Sequence, residues 1–219
     1  YPEANIQNIG FERTNYPDGY FDVAIGNVPF GDYRVNDPVY NSHGFLIHDY
    51  FFAKTLDKLR AGGVAAYITT KGTMDKESTK VREFLFKKAE LLGAIRLPNT
   101  AFKNAGTKVT ADILFLQKRE KEIENPEWIA VTEDAQGFRI NSYFVQHPEM
   151  ILGTMQEISG PYGMETTCVE KEGVPLGERL RAAISHITGH IPERVEEERA
   201  EFRYEAEQPT DAPDASEVR

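Results

Sequence analysis

Cysteine is nearly absent, with one residue, Cys168, in a chain of 219. That excludes an intramolecular disulfide framework and any cysteine-based zinc cluster, and leaves Cys168 as an ordinary thiol. A reducing, cytoplasmic setting is the expectation that follows. Long apolar runs are missing, as is a basic-then-apolar leader, so no membrane is expected as a partner. Histidine is scarce, with five residues. Two of them, His43 and His48, lie close together beside Asp49, but no third ligand stands at a suitable spacing. The reading there is packing or capping at a helix start, and no metal. No internal repeat is visible.

The chain also lacks the basic excess of a typical nucleic-acid binder, since its net charge is −10. The acidity is unevenly spread. Residues 1–119 hold 16 Lys and Arg against 13 Asp and Glu, a net of +3, whereas residues 120–219 hold 9 against 22, a net of −13. The first half can therefore lie against phosphates, and the global charge does not decide the partner.

What is present reads as alternating strands and helices. "FDVAIG" (21–26) is a short apolar run ending in Gly, as expected of a buried parallel strand. Phe45, Leu46, Phe52, Leu56 and Leu59 recur at helical spacing, and "AGG" at 61–63 is expected to stop that helix. "VAAYITT" (64–70) is a second strand. "STKVREFLFKKAELL" (78–92) reads as a helix with Val81, Leu85 and Leu92 on one stripe. "GAIRLP" (93–98) and, after a polar loop, "VTADILFLQK" (109–118) complete the strands. Strand–helix–strand order implies right-handed crossovers and a mostly parallel sheet covered by helices. The last strand follows through a loop without a helix, which suits an antiparallel partner near one edge. Beyond Arg119 the pattern predicts a short hairpin within 128–145 and an amphipathic helix over 175–187. The Glu-rich end is too polar to bury anything.

The chemistry concentrates at "DVAIGNVPFGDY" (22–33), where the first strong strand runs into a turn. In open α/β sheets, ligands bind outside the carboxyl ends of strands. Asn27 offers a carbonyl oxygen as acceptor, and Pro29, with no N–H, leaves carbonyl oxygens without a competing donor. Phe30 adds a flat π-face. Two acceptors beside a ring suit a planar group that carries an NH2, on a nucleobase or a side-chain amide. The same tetrapeptide can instead be an ordinary turn, with Asn27 bonding its own backbone and Phe30 packed inward.

"DVAIGNVPFG" resembles the Asp/Asn/Ser-Pro-Pro-Tyr/Phe motif of amino-methyltransferases that use S-adenosylmethionine, written here Asn27-Val28-Pro29-Phe30. The segments that follow, "LRAGGVAAYITTKG", "LLGAIRLPNTAF" and "TKVTADILFLQK", come in the order of the N6-adenine DNA methyltransferases. They resemble type I restriction–modification methylation subunits and the methylase portion of large helicase–methylase proteins of bacterial mobile elements. The resemblance runs from about Tyr1 to Arg119 and continues more weakly through 141–153. It implies an α/β, Rossmann-like methyltransferase fold, of which this chain holds the C-terminal part: a mixed, mostly parallel sheet with an antiparallel edge hairpin, plus a small C-terminal appendage. The implied domains are a partial catalytic domain (1–119), an accessory α+β extension (120–190) and an acidic disordered tail or linker (191–219).

By the same resemblance, a target adenine flipped out of DNA enters the turn. The Asn27 side-chain oxygen and the Pro29 carbonyl accept its N6 hydrogens, and Phe30 stacks on the base. Phe102, in "LPNTAF", closes over the other face, and core packing is its plain alternative. Lys71, just past a strand end, is placed to meet a phosphate, with a solvated loop lysine as the alternative. Phe11, after an expected strand within 4–12, lies beside the cofactor adenine, and Asn27 touches the cofactor as well. S-adenosyl-L-methionine is the implied cofactor, and DNA and a helicase domain of the same parent chain are the implied partners. Two departures stand out. Val28 occupies a position where most relatives have Pro, which is expected to loosen the turn. The family's Gly-rich cofactor loop and following acidic residue have no counterpart in these residues, so a fragment inactive by itself is expected. Methylation of a protein glutamine amide and a non-catalytic docking platform for nucleic acid or a helicase are the competing readings.

Overall fold

Four of the apolar runs pair as one sheet in the computed structural model, which describes residues 4–160 and 163–193. Strand β1 (Phe21–Asn27) leads through helix α1 (Ile47–Lys58) into strand β2 (Leu59–Thr70). A short helix α2 (Gly72–Asp75) and helix α3 (Lys80–Lys88) then precede strand β3 (Ala89–Leu97), and strand β4 (Ala111–Lys118) follows. The strand order is β1-β2-β4-β3. β1 and β2 are parallel, while β4 runs antiparallel to both of its neighbours, β2 and β3. The expected mixed sheet is thus present, with the β3–β4 hairpin at one edge and the reversed strand one position in from it. Among the described residues no helix is long and apolar enough to cross a membrane.

Three local expectations fail for tertiary reasons. Residues 4–12 form no strand; Phe11–Arg13 make a single 3-10 turn. An extended segment becomes a strand only through a pairing ladder, and none forms here among the described residues. Helix α1 ends at Lys58, ahead of Gly62 and Gly63, which lie inside β2. There the register steps from Phe21↔Leu59 to Val23↔Val64 and Gly62 takes φ +76°, so the glycines serve a bulge and not a helix stop. Helix α3 ends at Lys88, and Leu91 and Leu92 belong to β3. Pairing of Ala89 with Lys118 overrides the helical propensity of that stretch.

The extension after β4 contributes strands β5 (Val131–Glu133) and β6 (Arg139–Asn141), helix α4 (Ser142–Gln146), strands β7 (Gly153–Gly160) and β8 (Gly163–Glu170), and helix α5 (Leu176–Ile184). β5–β6 is the hairpin expected within 128–145, and α5 falls in the expected 175–187 window. The β7–β8 hairpin was not expected. The extension shares the main core: Phe144, Met150 and Cys168 bury in the same cluster as Ile95 and Leu114 of the sheet. Two polar side chains fasten it. The fully buried Arg82 donates to the carbonyls of Ile129 (2.7 Å) and Lys76 (2.7 Å). Asn141 caps α4 and donates to the carbonyls of Met74 (3.1 Å) and Trp128 (2.8 Å). The acidic tail expected over 191–219 lies outside the described residues from 194 onward.

At the core's polar centre, Arg96 on β3 makes two 2.8 Å bonds to Asp112 on β4. It also pairs with Asp75 of α2 at 2.8 Å and lies over the Phe144 ring. Burial alone would lower the pKa of Arg96, but the attraction of Asp112 and Asp75 outweighs it and the net shift is upward. Removing one member of such a buried cluster strands the others without charge compensation. Asp112→Ala is expected to cost about 3–5 kcal/mol, read as a lower urea midpoint. Arg139→Ala, which breaks a solvent-exposed pair with Glu77, should leave that midpoint nearly unchanged.

Candidate active site

β1 ends at Asn27, opposite Ile68 of β2. The ladder continues one step further, since the Val28 N–H donates to the Ile68 carbonyl at 3.1 Å, and Pro29 then stops it. The Val28 side chain is buried in the main core. This corrects the expectation that Val28 loosens the turn. A proline there would lack the N–H that bonds Ile68, whereas valine anchors the turn by both its backbone and its side chain. With Val28 pinned inward, Asn27 is left exposed on one side of it and Phe30 37 % exposed on the other. Among the described residues the Asn27 carboxamide has no hydrogen-bond partner, so the self-stapled turn does not form.

A cavity of about 290 Å³ opens at this point. Asn27, Val28, Pro29 and Phe30 form part of its lining, and Phe102, Ala105, Thr107 and Val109 supply the rest. Gly106, at φ +78°, supplies the left-handed turn between two of those lining residues. The volume lies near the lower end of the range for small-molecule sites, roughly 300–1,000 Å³. A flat heterocycle is the right scale for it. Phe102, half-buried, lines the cavity and also packs against the main core.

A buried polar cluster lies next to the turn. His48 and Asp49, at the start of α1, are 3 % and 2 % exposed. Lys76 Nζ lies 3.1 Å from His48 Nε2 and 3.0 Å from Asp49 Oδ2. The same Nε2 lies 3.3 Å from Asp49 Oδ1, so the ring nitrogen stands between an ammonium that can only donate and a carboxylate that can only accept. Burial lowers the pKa of His48; Asp49 opposes the shift, Lys76 reinforces it, and Asp32 and the Gly31 main chain oppose it more weakly. The imidazole therefore senses residues directly after Phe30. His43, by contrast, stacks on Phe45 with ring centroids 5.0 Å apart.

The remaining expected site residues lie elsewhere. Lys71 follows β2, but its ammonium donates to the carbonyl and hydroxyl of Thr166 on β8 and does not line the cavity. Burial lowers its pKa. Phe11 lines a separate cavity of about 300 Å³ along the side of β1, with Phe21, Ala24 and Ile25. Its ring packs 4.9 Å from Phe51 and under Lys54 Nζ. Cys168 is buried, which pushes its thiol up to about 12 and makes it unreactive.

The family model for N-6 DNA Methylase matches residues 7–155. The chain belongs to the N-6 DNA methylase family. The match spans β1 to the start of β7, so it contains every residue lining the Asn27 cavity and leaves out β8. A curated relative, "Defense against restriction protein B" of Escherichia phage P1, is 33 % identical over 129 residues, which is 56 % of this chain and 6 % of that protein. The chain thus spans a small fraction of the length of the relative it matches. Among solved structures, an S-adenosylmethionine-dependent class I methyltransferase from Listeria monocytogenes is 23 % identical, covering 53 % of this chain and 38 % of its own, with a TM-score of 0.40. A type I restriction-enzyme modification subunit from Vibrio vulnificus is 22 % identical, covering 49 % of this chain and 24 % of its own, with a TM-score of 0.39.

For this N-6 DNA methylase chain the sequence reading missed the anchoring role of Val28, the far cavity lining from 105 to 109, and the His48–Asp49–Lys76 cluster. The loop around Gly106 carried a readable turn signal. The pairing of His48 with Lys76, 28 residues on, carried none. A histidine whose folded pKa lies below its unfolded value of 6.5 binds more protons when unfolded. Its stabilisation is present above that value and is lost as pH falls below it towards the folded pKa. Thermal midpoints measured from pH 7.5 down to 5 should therefore decline, and His48→Gln should flatten the decline.

Proposed function

We propose that the Asn27 cavity grips the exocyclic amine of a flipped adenine in DNA for S-adenosylmethionine-dependent N6 methylation. The observation that carries this reading is the unengaged Asn27 carboxamide sharing a cavity with Phe30 and Phe102. In this mechanism the Asn27 side-chain oxygen and the Pro29 carbonyl accept the two N6 hydrogens. Those bonds draw the nitrogen lone pair out of conjugation with the ring and aim it for attack. Phe30 stacks on the base, a contact worth about 1–3 kcal/mol. Phe102 borders the same space and limits the tilt of the ring. Positioning and fixed dipoles then supply most of the rate; the proton that N6 gives up on gaining the methyl group passes to water after transfer, so no strongly shifted general base is required.

The residues present suit the cofactor in part: Asn27 stands at a strand end, and Phe11 offers an aromatic wall in the cavity along β1. Phe11 and Asn27 are the residues of this chain that would hold it. When bound, S-adenosylmethionine supplies an electrophilic methyl group. DNA is the proposed partner, supported by the net charge of +3 over residues 1–119. A helicase domain of the same polypeptide is a further proposed partner.

The assay uses the full natural protein with labelled S-adenosylmethionine and adenine-containing DNA. Asn27→Ala is expected to lower kcat by about 10²–10³-fold, the loss typical of one fixed dipole at a reacting centre. Normal methylation by that variant would end the reading. Label transferred to a glutamine-bearing peptide and not to DNA would replace adenine by a protein amide as the acceptor.

A further inference from the structure

The loop that brings Phe102 to the cavity has both feet on β8. At the first foot, the Asn99 N–H donates to the Cys168 carbonyl at 2.7 Å, and Asn99 Nδ2 donates to Thr167 Oγ1 at 3.2 Å. Beside it, Thr100 Oγ1 donates to Glu170 Oε2 at 2.8 Å. At the second foot, Thr110 Oγ1 accepts from the Cys168 N–H at 2.9 Å and lies 3.0 Å from Thr167 Oγ1. The Val109 N–H closes the loop on itself by donating to the Asn99 carbonyl at 3.2 Å. Thr110 and Thr167 are 5 % and 6 % exposed, so water does not compete for these bonds. Lys71 fixes β8 in turn through Thr166, directly after the β2 strand that pairs with β1.

We infer that β8 is a positioning clamp, with Thr167 at its centre, that sets the 99–110 loop and its Phe102 over the Asn27 turn. The inference rests on the proposed function of that cavity and adds a residue outside the matched family region to it. No residue of β7 or β8 lines the cavity, so the clamp acts only through the loop. Without it, the thirteen-residue connection between β3 and β4 (98–110) would keep only its sheet ends, the Val109–Asn99 bond and the core contacts of Ala101 and Phe102. Its apex would then sample many conformations in place of one. With it, hydroxyl and amide bonds at both feet leave the apex little freedom. A ring displaced by an ångström at a reacting centre costs rate while binding energy from the rest of the interface persists.

The test is Thr167→Val in the full natural protein, which keeps side-chain volume and removes the hydroxyl shared by both feet. Amide hydrogen exchange across 99–109 is expected to speed by about tenfold or more, with β4 amides unchanged. Methylation kcat should fall by about tenfold with KM for DNA unchanged, and Thr167→Ser should restore both. Glu170→Ala, at the exposed end of the clamp, provides a milder version of the same two shifts should the valine variant fold poorly. Unchanged loop exchange in folded variants overturns the clamp, as does a rise in KM alone. The exchange result holds whatever the acceptor is. If Asn27→Ala abolishes methylation while Thr167→Val leaves kcat intact, the clamp fails and the site stands. If Asn27→Ala is without effect but loop exchange rises in Thr167→Val, the site reading fails and the clamp stands as a device for the loop.

Discussion

The ion cluster of Arg96 with Asp112 and Asp75 is the constraint on which the other parts converge. Arg96 is fully buried, so its charge must be compensated where it sits. Asp112 fixes β3 against β4, Asp75 draws in α2, and the guanidinium face receives Phe144 of α4. The backbone of Arg96 adds a further tie: its carbonyl accepts from the Leu152 N–H at 2.9 Å, where the chain enters β7. One residue thus orients both strands of the edge hairpin and the two segments of the extension nearest to it. A cluster of this kind contributes little net stability relative to an apolar replacement, but it tolerates few alternative arrangements.

The consequence for the site is geometric. The Asn27 turn is held by β2 through Val28, and the Phe102 loop leaves β3 and returns as β4. The distance between these two contributors is set by the pairing of β2 with β4, which runs from Val64↔Gln117 to Thr70↔Ala111. Inserting the reversed strand between β2 and β3 is what carries the loop to the side of the turn. The extension then acts on the same loop through β8, which explains why its core residues are continuous with those of the sheet.

Charge follows the same division. The fully buried Arg96 and Arg82 and the half-buried Lys71 are each engaged with carboxylates, carbonyls or a hydroxyl. Lys71 is the instructive case. A lysine just past a strand end is equally compatible with phosphate, solvent or a neighbouring hairpin, and burial against Thr166 selects the last of these.

Local chemistry determined a great deal by itself. Apolar runs ending in glycine or proline identified β1 and β3, runs rich in apolar and β-branched residues identified β2 and β4, helical spacing identified α1, and the absence of a proline N–H together with a free carboxamide identified the turn at Asn27 to Phe30. These signals span a few residues and need no partner to be read. Tertiary structure alone decided the end of α3, the bulge at Gly62, the destination of Lys71 and the anchoring by Val28. The His48–Lys76, Arg96–Asp112 and Thr110–Thr167 contacts join residues 28, 16 and 57 positions apart. Such contacts depend on which strand lies beside which, and strand order is fixed by packing the whole core and not by any stretch of sequence taken singly.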